Sequence, residues 1–282
     1  MRKESGQMVA FDYPLRFERV EQAKLWGVER WLVSTHPSSP SVIANGSLKG
    51  MKLPDVVGAL PVLIKDIHAE EWLSIQVHPG EKTCKITGGE PKSEMWRVLS
   101  PGPLLAGFKP GTTRADVDKS IADGGLENDL CFFDAVEGDI FDIPAGLVHA
   151  LGAGIRVFEV QQSSDTTFRF YDWNRKDENG CSRQLHIEKS LAAVDWDLPP
   201  AKSVKASQIS NFRISDDPVD GECSIETAED LVVVFCAGGE LSVAGEFLAA
   251  GDVVLLPPGF EAKVKAKTAQ MITVRIASMA CG

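Results

Sequence analysis

Several common classes of protein are excluded by what this chain of 282 residues lacks. No apolar run approaches the roughly 20 residues that a membrane helix needs, so no spanning helix is expected. The N-terminus, MRKESGQMVAFDYP, has two early basic residues but no apolar stretch behind them, so no secretory signal is expected either. Basic residues are outnumbered: 29 Lys and Arg face 40 Asp and Glu, for a net charge of −11. Nucleic acid and anionic membrane both attract a basic field, so neither is expected as a partner. The six cysteines, at 84, 131, 181, 223, 236 and 281, include no Cys-x-x-Cys pair. They read as reduced thiols of a cytoplasmic protein, not as a zinc ribbon or disulfide framework. Histidine is scarce, with five in the chain and none beyond position 186.

What is present is a motif stated twice. Residues 138–149 read GDIFDIPAGLVH and residues 251–262 read GDVVLLPPGFEA. Each runs Gly, Asp, a short apolar stretch, Pro-x-Gly and two further residues, and ends on His149 in one copy and Ala262 in the other. Such self-similarity indicates a duplicated unit, and the missing imidazole suggests that His149 does chemistry. Around the repeats lie many short Val-, Ile-, Leu- and Phe-rich runs bounded by Gly or Pro, among them 61–67, 95–99, 155–162, 231–237 and 271–277. These predict an antiparallel sandwich or barrel. Local helices are expected after Thr113, ended by Gly124 and Gly125, and over 187–194. Two prolines near 199, followed by a polar acidic stretch over 207–230, suggest a catalytic unit over 1–200 and a second all-β unit over 201–282.

Gln76 and His78 lie two apart on an alternating run, so both side chains leave the same face of a strand. Glu94 precedes the next strand, and His149 follows its turn. An amide oxygen, two imidazoles and one carboxylate form a mixed N/O donor set suited to zinc, or to iron, cobalt or manganese. His36, His68 and His186 read as ordinary surface or core residues. Trp31, Trp72 and Trp96 read as core and not as sugar platforms. Arg169 alternates with Phe168 and Phe170 and is expected to face a cavity.

The Gly-x5-Pro-x-Gly-x2-His spacing resembles the second metal-ligand motif of the cupin superfamily, a jelly-roll family. The segments LPVLIKDIHAEEWLSIQVHPGEK (60–82), SEMW (93–96) and IPAGLVHALGAGIRVFEVQQSSDTTFRFYDWNR (143–175) resemble type I mannose-6-phosphate isomerases, also called phosphomannose isomerases, in their short bacterial form. The resemblance runs from about residue 12 to 200 and is looser beyond. It implies a mostly β chain of two cupin-type jelly rolls with a few short helices. One zinc per chain would sit on Gln76, His78, Glu94 and His149, with other divalent metals possible. Arg169, Lys92 and Glu159 would be catalytic, and Ser74, Lys92 and Arg169 would contact substrate.

An aldose–ketose interconversion moves a proton between C1 and C2 and needs a base, an acid and stabilised oxyanions. Glu159 could move that proton if burial raised its pKa. Lys85, Lys92, Arg97, Arg169 and Arg175 are candidates for a phosphate-binding cluster. The expected function is therefore cytoplasmic isomerisation of mannose 6-phosphate and fructose 6-phosphate. The rivals are a metal-holding sugar-phosphate sensor without turnover, and an iron-dependent cupin oxygenase.

Overall fold

A computed structural model describes residues 9–204 and 212–277. Three antiparallel sheets dominate it. The first has seven strands, ordered Glu21–Lys24, Gly27–Val33, Val62–Ala69, Arg156–Gln162, Glu94–Ser100, Ile140–Ile143 and Ser203–Val204. The second has five, ordered Phe168–Tyr171, Ile75–Val77, His149–Leu151, Gly102–Phe108 and Leu130–Ala135. The third orders Phe212–Glu226, Glu261–Ile276, Leu231–Val243 and Glu246–Ala249, with Val253–Leu256 also paired to Leu231–Val243. By compactness the chain divides into two units, residues 21–30 with 65–205, and the described residues of 1–20, 31–64 and 206–282. Among the described residues no helix is long and apolar enough to cross a membrane.

Strand alternation sorts side chains within the unit of residues 21–30 and 65–205. Trp96 and Val98 of the first sheet join Leu104, Ala106 and Leu151 of the second in one apolar cluster. Two residues apart on a strand means one face, so Glu94 shares a face with Trp96, and Glu159 with Val157. In the second sheet Ile75, Val77, Val148, Ala150, Phe168 and Phe170 pack in a different cluster with Val117 and Leu191. Gln76, His149 and Arg169 alternate with those residues and take the opposite face.

Both expected helices form. Arg114–Asp123 begins at Thr113, whose side chain accepts from the Asp116 amide while Asp116 caps back on Thr113. It ends at Gly124, whose φ of 74° is the left-handed conformation that glycine adopts without strain. The second runs Ile187–Ala193. Val117 and Leu191 anchor these helices on the apolar cluster below.

The two repeats share a backbone as well as a spelling. Gly138 donates to the Val98 carbonyl at 3.0 Å, and Val98 donates to Asp139 at 2.9 Å. Gly251 and Cys236 repeat the pattern: Gly251 donates to Cys236 at 2.8 Å, and Cys236 to Asp252 at 3.0 Å. Each Asp also accepts from the backbone three residues earlier, Val136 at 3.0 Å and Ala249 at 3.1 Å. Both leading glycines take left-handed backbone, at φ 93° and 92°. In this register Glu94 faces Ile143, and its counterpart Val232 faces Leu256. Val232 and Ala262, which stand where the first copy has Glu94 and His149, are fully buried in one apolar cluster.

The polar stretch over 207–230 falls in the part of the chain expected to be all-β. Much of it is a strand of 15 residues, Phe212–Glu226, paired along its length with Glu261–Ile276; positions 207–211 lie outside the described residues. It stands at the edge of its sheet, where most side chains meet water, so its composition is polar.

Candidate metal centre

Three segments bring the donor set together. His78 follows the strand Ile75–Val77, and Gln76 lies within it, opposite His149 in the ladder. Gly146 donates to the His78 carbonyl at 2.9 Å, tying the turn before His149 to the segment that carries His78. Glu94 opens its strand. The nitrogen and oxygen donors of His78, Glu94 and His149 all lie within 4.8 Å of one another, and all three residues are buried.

Each imidazole is held by its far nitrogen. His78 Nδ1 donates to the Thr166 carbonyl at 2.8 Å and His149 Nδ1 to the Leu147 carbonyl at 2.9 Å. Both protons are thereby placed on Nδ1, so both Nε2 lone pairs point inward, as metal-bound histidines require. Nε2 of His78 is 3.0 Å from Glu94 Oε1, and Nε2 of His149 is 3.8 Å from Glu94 Oε2. The Gln76 amide nitrogen donates to His149 Nε2 at 3.3 Å, and Ser74 Oγ donates to Gln76 Oε1 at 3.2 Å. A half-turn of that amide would aim its oxygen at the same point.

The charge states suit a cation. Burial, then the Lys92 ammonium, lowers the His78 pKa to about 3, and burial lowers that of His149, so both rings are neutral at pH 7. For Glu94 burial pushes upward, but Lys92 and the two histidines outweigh it and hold the carboxyl well below its usual range. Neutral imidazole and ionised carboxylate are the forms that bind metal. Glu94 Oε2 is buried with no hydrogen-bond partner. A buried carboxylate oxygen left unsatisfied is costly, and a bound cation would satisfy it.

The other expected residues divide. Lys92 Nζ lies 2.6 Å from Glu94 Oε1 and 3.4 Å from His78 Nε2. Glu159 is 3% exposed, and its Oε2 accepts from the Trp96 indole at 2.9 Å. Burial and the negative charge of Glu94 raise its pKa to about 7. Arg169 stands opposite Gln76 in the ladder, and its Nε is buried without a hydrogen-bond partner. Burial and neighbouring Arg183 lower its pKa.

Of the other proposed cations, Lys85 is exposed. Arg97 is buried on the strand face opposite Glu94, donating to the Val98 carbonyl. Arg175 joins Arg183 on Asp172, at 2.6 Å for Arg175. Trp31 and Trp96 are core residues as expected, and Trp72 is partly buried. Trp96 adds a role not expected for it, through its bond to Glu159. Sequence reasoning passed over Lys65 and Glu29 altogether. Lys65 is 4% exposed and lies 3.4 Å from Glu159; its one signal is a lysine inside the apolar run PVLIKDI.

An antiparallel β-sandwich with two histidines and a carboxylate gathered inside it, on a turn repeated elsewhere without its ligands, defines a metal-binding cupin. A family model described as phosphomannose isomerase type I, catalytic domain, matches residues 3–97. A mannose-6-phosphate isomerase of Streptococcus mutans is 37% identical over 186 residues, which are 61% of this chain and 59% of that enzyme. A probable mannose-6-phosphate isomerase of Bacillus subtilis, GmuF, is 32% identical over 216 residues, 64% of this chain and 68% of that protein. The crystal structure of the Bacillus subtilis mannose 6-phosphate isomerase superposes with a TM-score of 0.83 at 25% identity, covering 93% of this chain and 99% of that one. The chain belongs to the type I phosphomannose isomerase family.

Proposed function

We propose that this chain is a zinc-dependent isomerase that interconverts mannose 6-phosphate and fructose 6-phosphate in the cytoplasm. The reading is carried by the buried cluster of His78, Glu94 and His149 with a near-neutral Glu159 close by. The cluster, joined by Gln76, would hold one zinc, which would supply Lewis-acid stabilisation of negative charge on the sugar's oxygens. Residues to about 200 carry this centre, and the remainder forms a metal-free β scaffold.

The chain's own groups supply the rest. Glu159 ionises and protonates near pH 7, as a group that both takes and returns a proton should. In open-chain mannose 6-phosphate it removes the C2 proton, and the C–H electron pair forms the C1–C2 double bond of an enediol. Lys92 supplies the proton taken up by the C1 oxygen. Return of the carbon-bound proton from Glu159 to C1, with the proton on the C2 oxygen passing back to Lys92, gives fructose 6-phosphate and restores both groups. Arg169 and Ser74 orient the phosphorylated sugar, and the unpartnered Arg169 Nε is a donor available for an anion.

The test is a coupled assay for fructose 6-phosphate formed from mannose 6-phosphate, before and after chelation. Turnover that disappears on metal removal and returns with zinc is expected. Full turnover in metal-free protein would remove the cation from the reading. Binding of the sugar phosphate without any turnover would make the protein a sensor.

A further inference from the structure

Glu159 shares its surroundings with a second carboxylate that the reaction above does not use. Lys65 lies between the two. Its Nζ donates to Glu29 Oε1 at 2.9 Å and is 3.4 Å from Glu159 Oε1, an oxygen with no hydrogen-bond partner. Glu29 is itself 8% exposed, and Lys24 Nζ approaches its other oxygen at 3.1 Å. One buried ammonium thus lies within ion-pair distance of two buried carboxylates and donates a hydrogen bond to the one farther along the chain of charges.

The division matters because a buried cation favours the ionised form of any carboxylate it pairs with. An ammonium closed onto Glu159 would fix it as a carboxylate and reduce its affinity for the migrating proton. Glu29 prevents this by taking the lysine's hydrogen bond. From this geometry we infer that Glu29 is a positioning residue for the isomerisation, holding Lys65 short of Glu159 so that Glu159 can accept and return a proton. The inference rests on the proposed role of Glu159.

The charges agree with the geometry. Burial would raise the Glu29 carboxyl, but Lys65 and Lys24 overcome that and hold it at about 2. Lys65 is raised chiefly by Glu29, against its burial. Glu159 is faced by Lys65 from one neighbouring strand, by Glu94 from the other, and by Lys92 just before it.

The experiment compares kcat, KM and the acid limb of the kcat/KM pH profile in wild type, Glu29→Gln, Glu29→Asp, Lys24→Met and Glu159→Gln. Removing the Glu29 charge leaves Lys65 to Glu159, so the Glu29→Gln limb should move about one pH unit lower, with kcat down about tenfold and KM little changed. Glu29→Asp keeps the charge and should keep the limb in place. Lys24→Met strips a cation from Glu29 and should move the limb the other way, by a few tenths of a unit because Lys24 is partly solvated.

A Glu29→Gln enzyme whose limb stays in place overturns the inference, whatever its kcat. If that variant does not fold, a Lys24→Met limb that stays put or moves lower does the same. Wild type without turnover, or Glu159→Gln with normal turnover, would instead remove the reading beneath it.

Discussion

At the scale of single residues, the proposed isomerisation turns on Glu159. Burial and the charge of Glu94 push its carboxyl up to about 7, well above an unperturbed glutamate. Replacing it with Gln is expected to lower kcat by about 10² to 10⁴-fold, the usual contribution of a positioned acid–base group, with zinc content unchanged. The same substitution has a stability signature of known sign. A glutamate whose folded pKa lies above its unfolded value binds its proton more tightly in the native state, so stability falls as pH rises from about 4.5 to 7. The neutral amide escapes that loss. Glu159→Gln should therefore be more stable than wild type at pH 8, by on the order of 1–3 kcal/mol, and nearly equal to it at pH 5. Thermal melts at the two pH values measure both, and a variant less stable at pH 8 would contradict the burial argument.

At the scale of elements, the turn that presents His149 depends on Gly146. Its φ is 92°, and a Cβ there would lie 2.7 Å from the Asp195 Cβ and 2.9 Å from the Asp195 backbone nitrogen. Gly138 opens the same motif at nearly the same φ, with nothing within 4 Å of an added Cβ. Gly146→Ala is expected to cost about 1–3 kcal/mol more than Gly138→Ala and to weaken zinc binding, since the Leu147 carbonyl that holds His149 moves with the turn. Melting temperatures and zinc titrations of the two variants check this, and equal losses would count against a special role for the second glycine. Such turns are legible in sequence because Gly, Asp and Pro each satisfy a local backbone demand, and the Asp139 and Asp252 side-chain bonds supply the reason for their repetition. The edge strand Phe212–Glu226 was not legible, since its pairing is with residues about 50 positions away and its surface is mostly wet. Nor was the Lys24–Glu29–Lys65–Glu159 chain of charges, which becomes visible only when separate strands bring those positions side by side.

Across the whole molecule, the two repeats imply a stoichiometry. Val232 and Ala262 offer no donor atoms and lie in an apolar cluster that includes Val254, Leu256 and Val264. Purified protein should carry one tightly held zinc per chain by elemental analysis, and a second would contradict the pairing of the repeats. Val232→Ala leaves a cavity of two methyl groups and should cost about 1–3 kcal/mol of stability. It should leave zinc content and kcat unchanged, whereas Glu94→Val, which puts the second copy's residue into the first, should abolish both.

The anchoring of each imidazole to a main-chain carbonyl has one more outcome. The Thr166 and Leu147 carbonyls fix the orientation of the two rings through the main chain. Loading and stripping the ion should therefore be reversible at ordinary temperature with little change in circular dichroism. Cobalt, whose colour reports its coordination, should take the vacated place and make the site visible to a spectrometer.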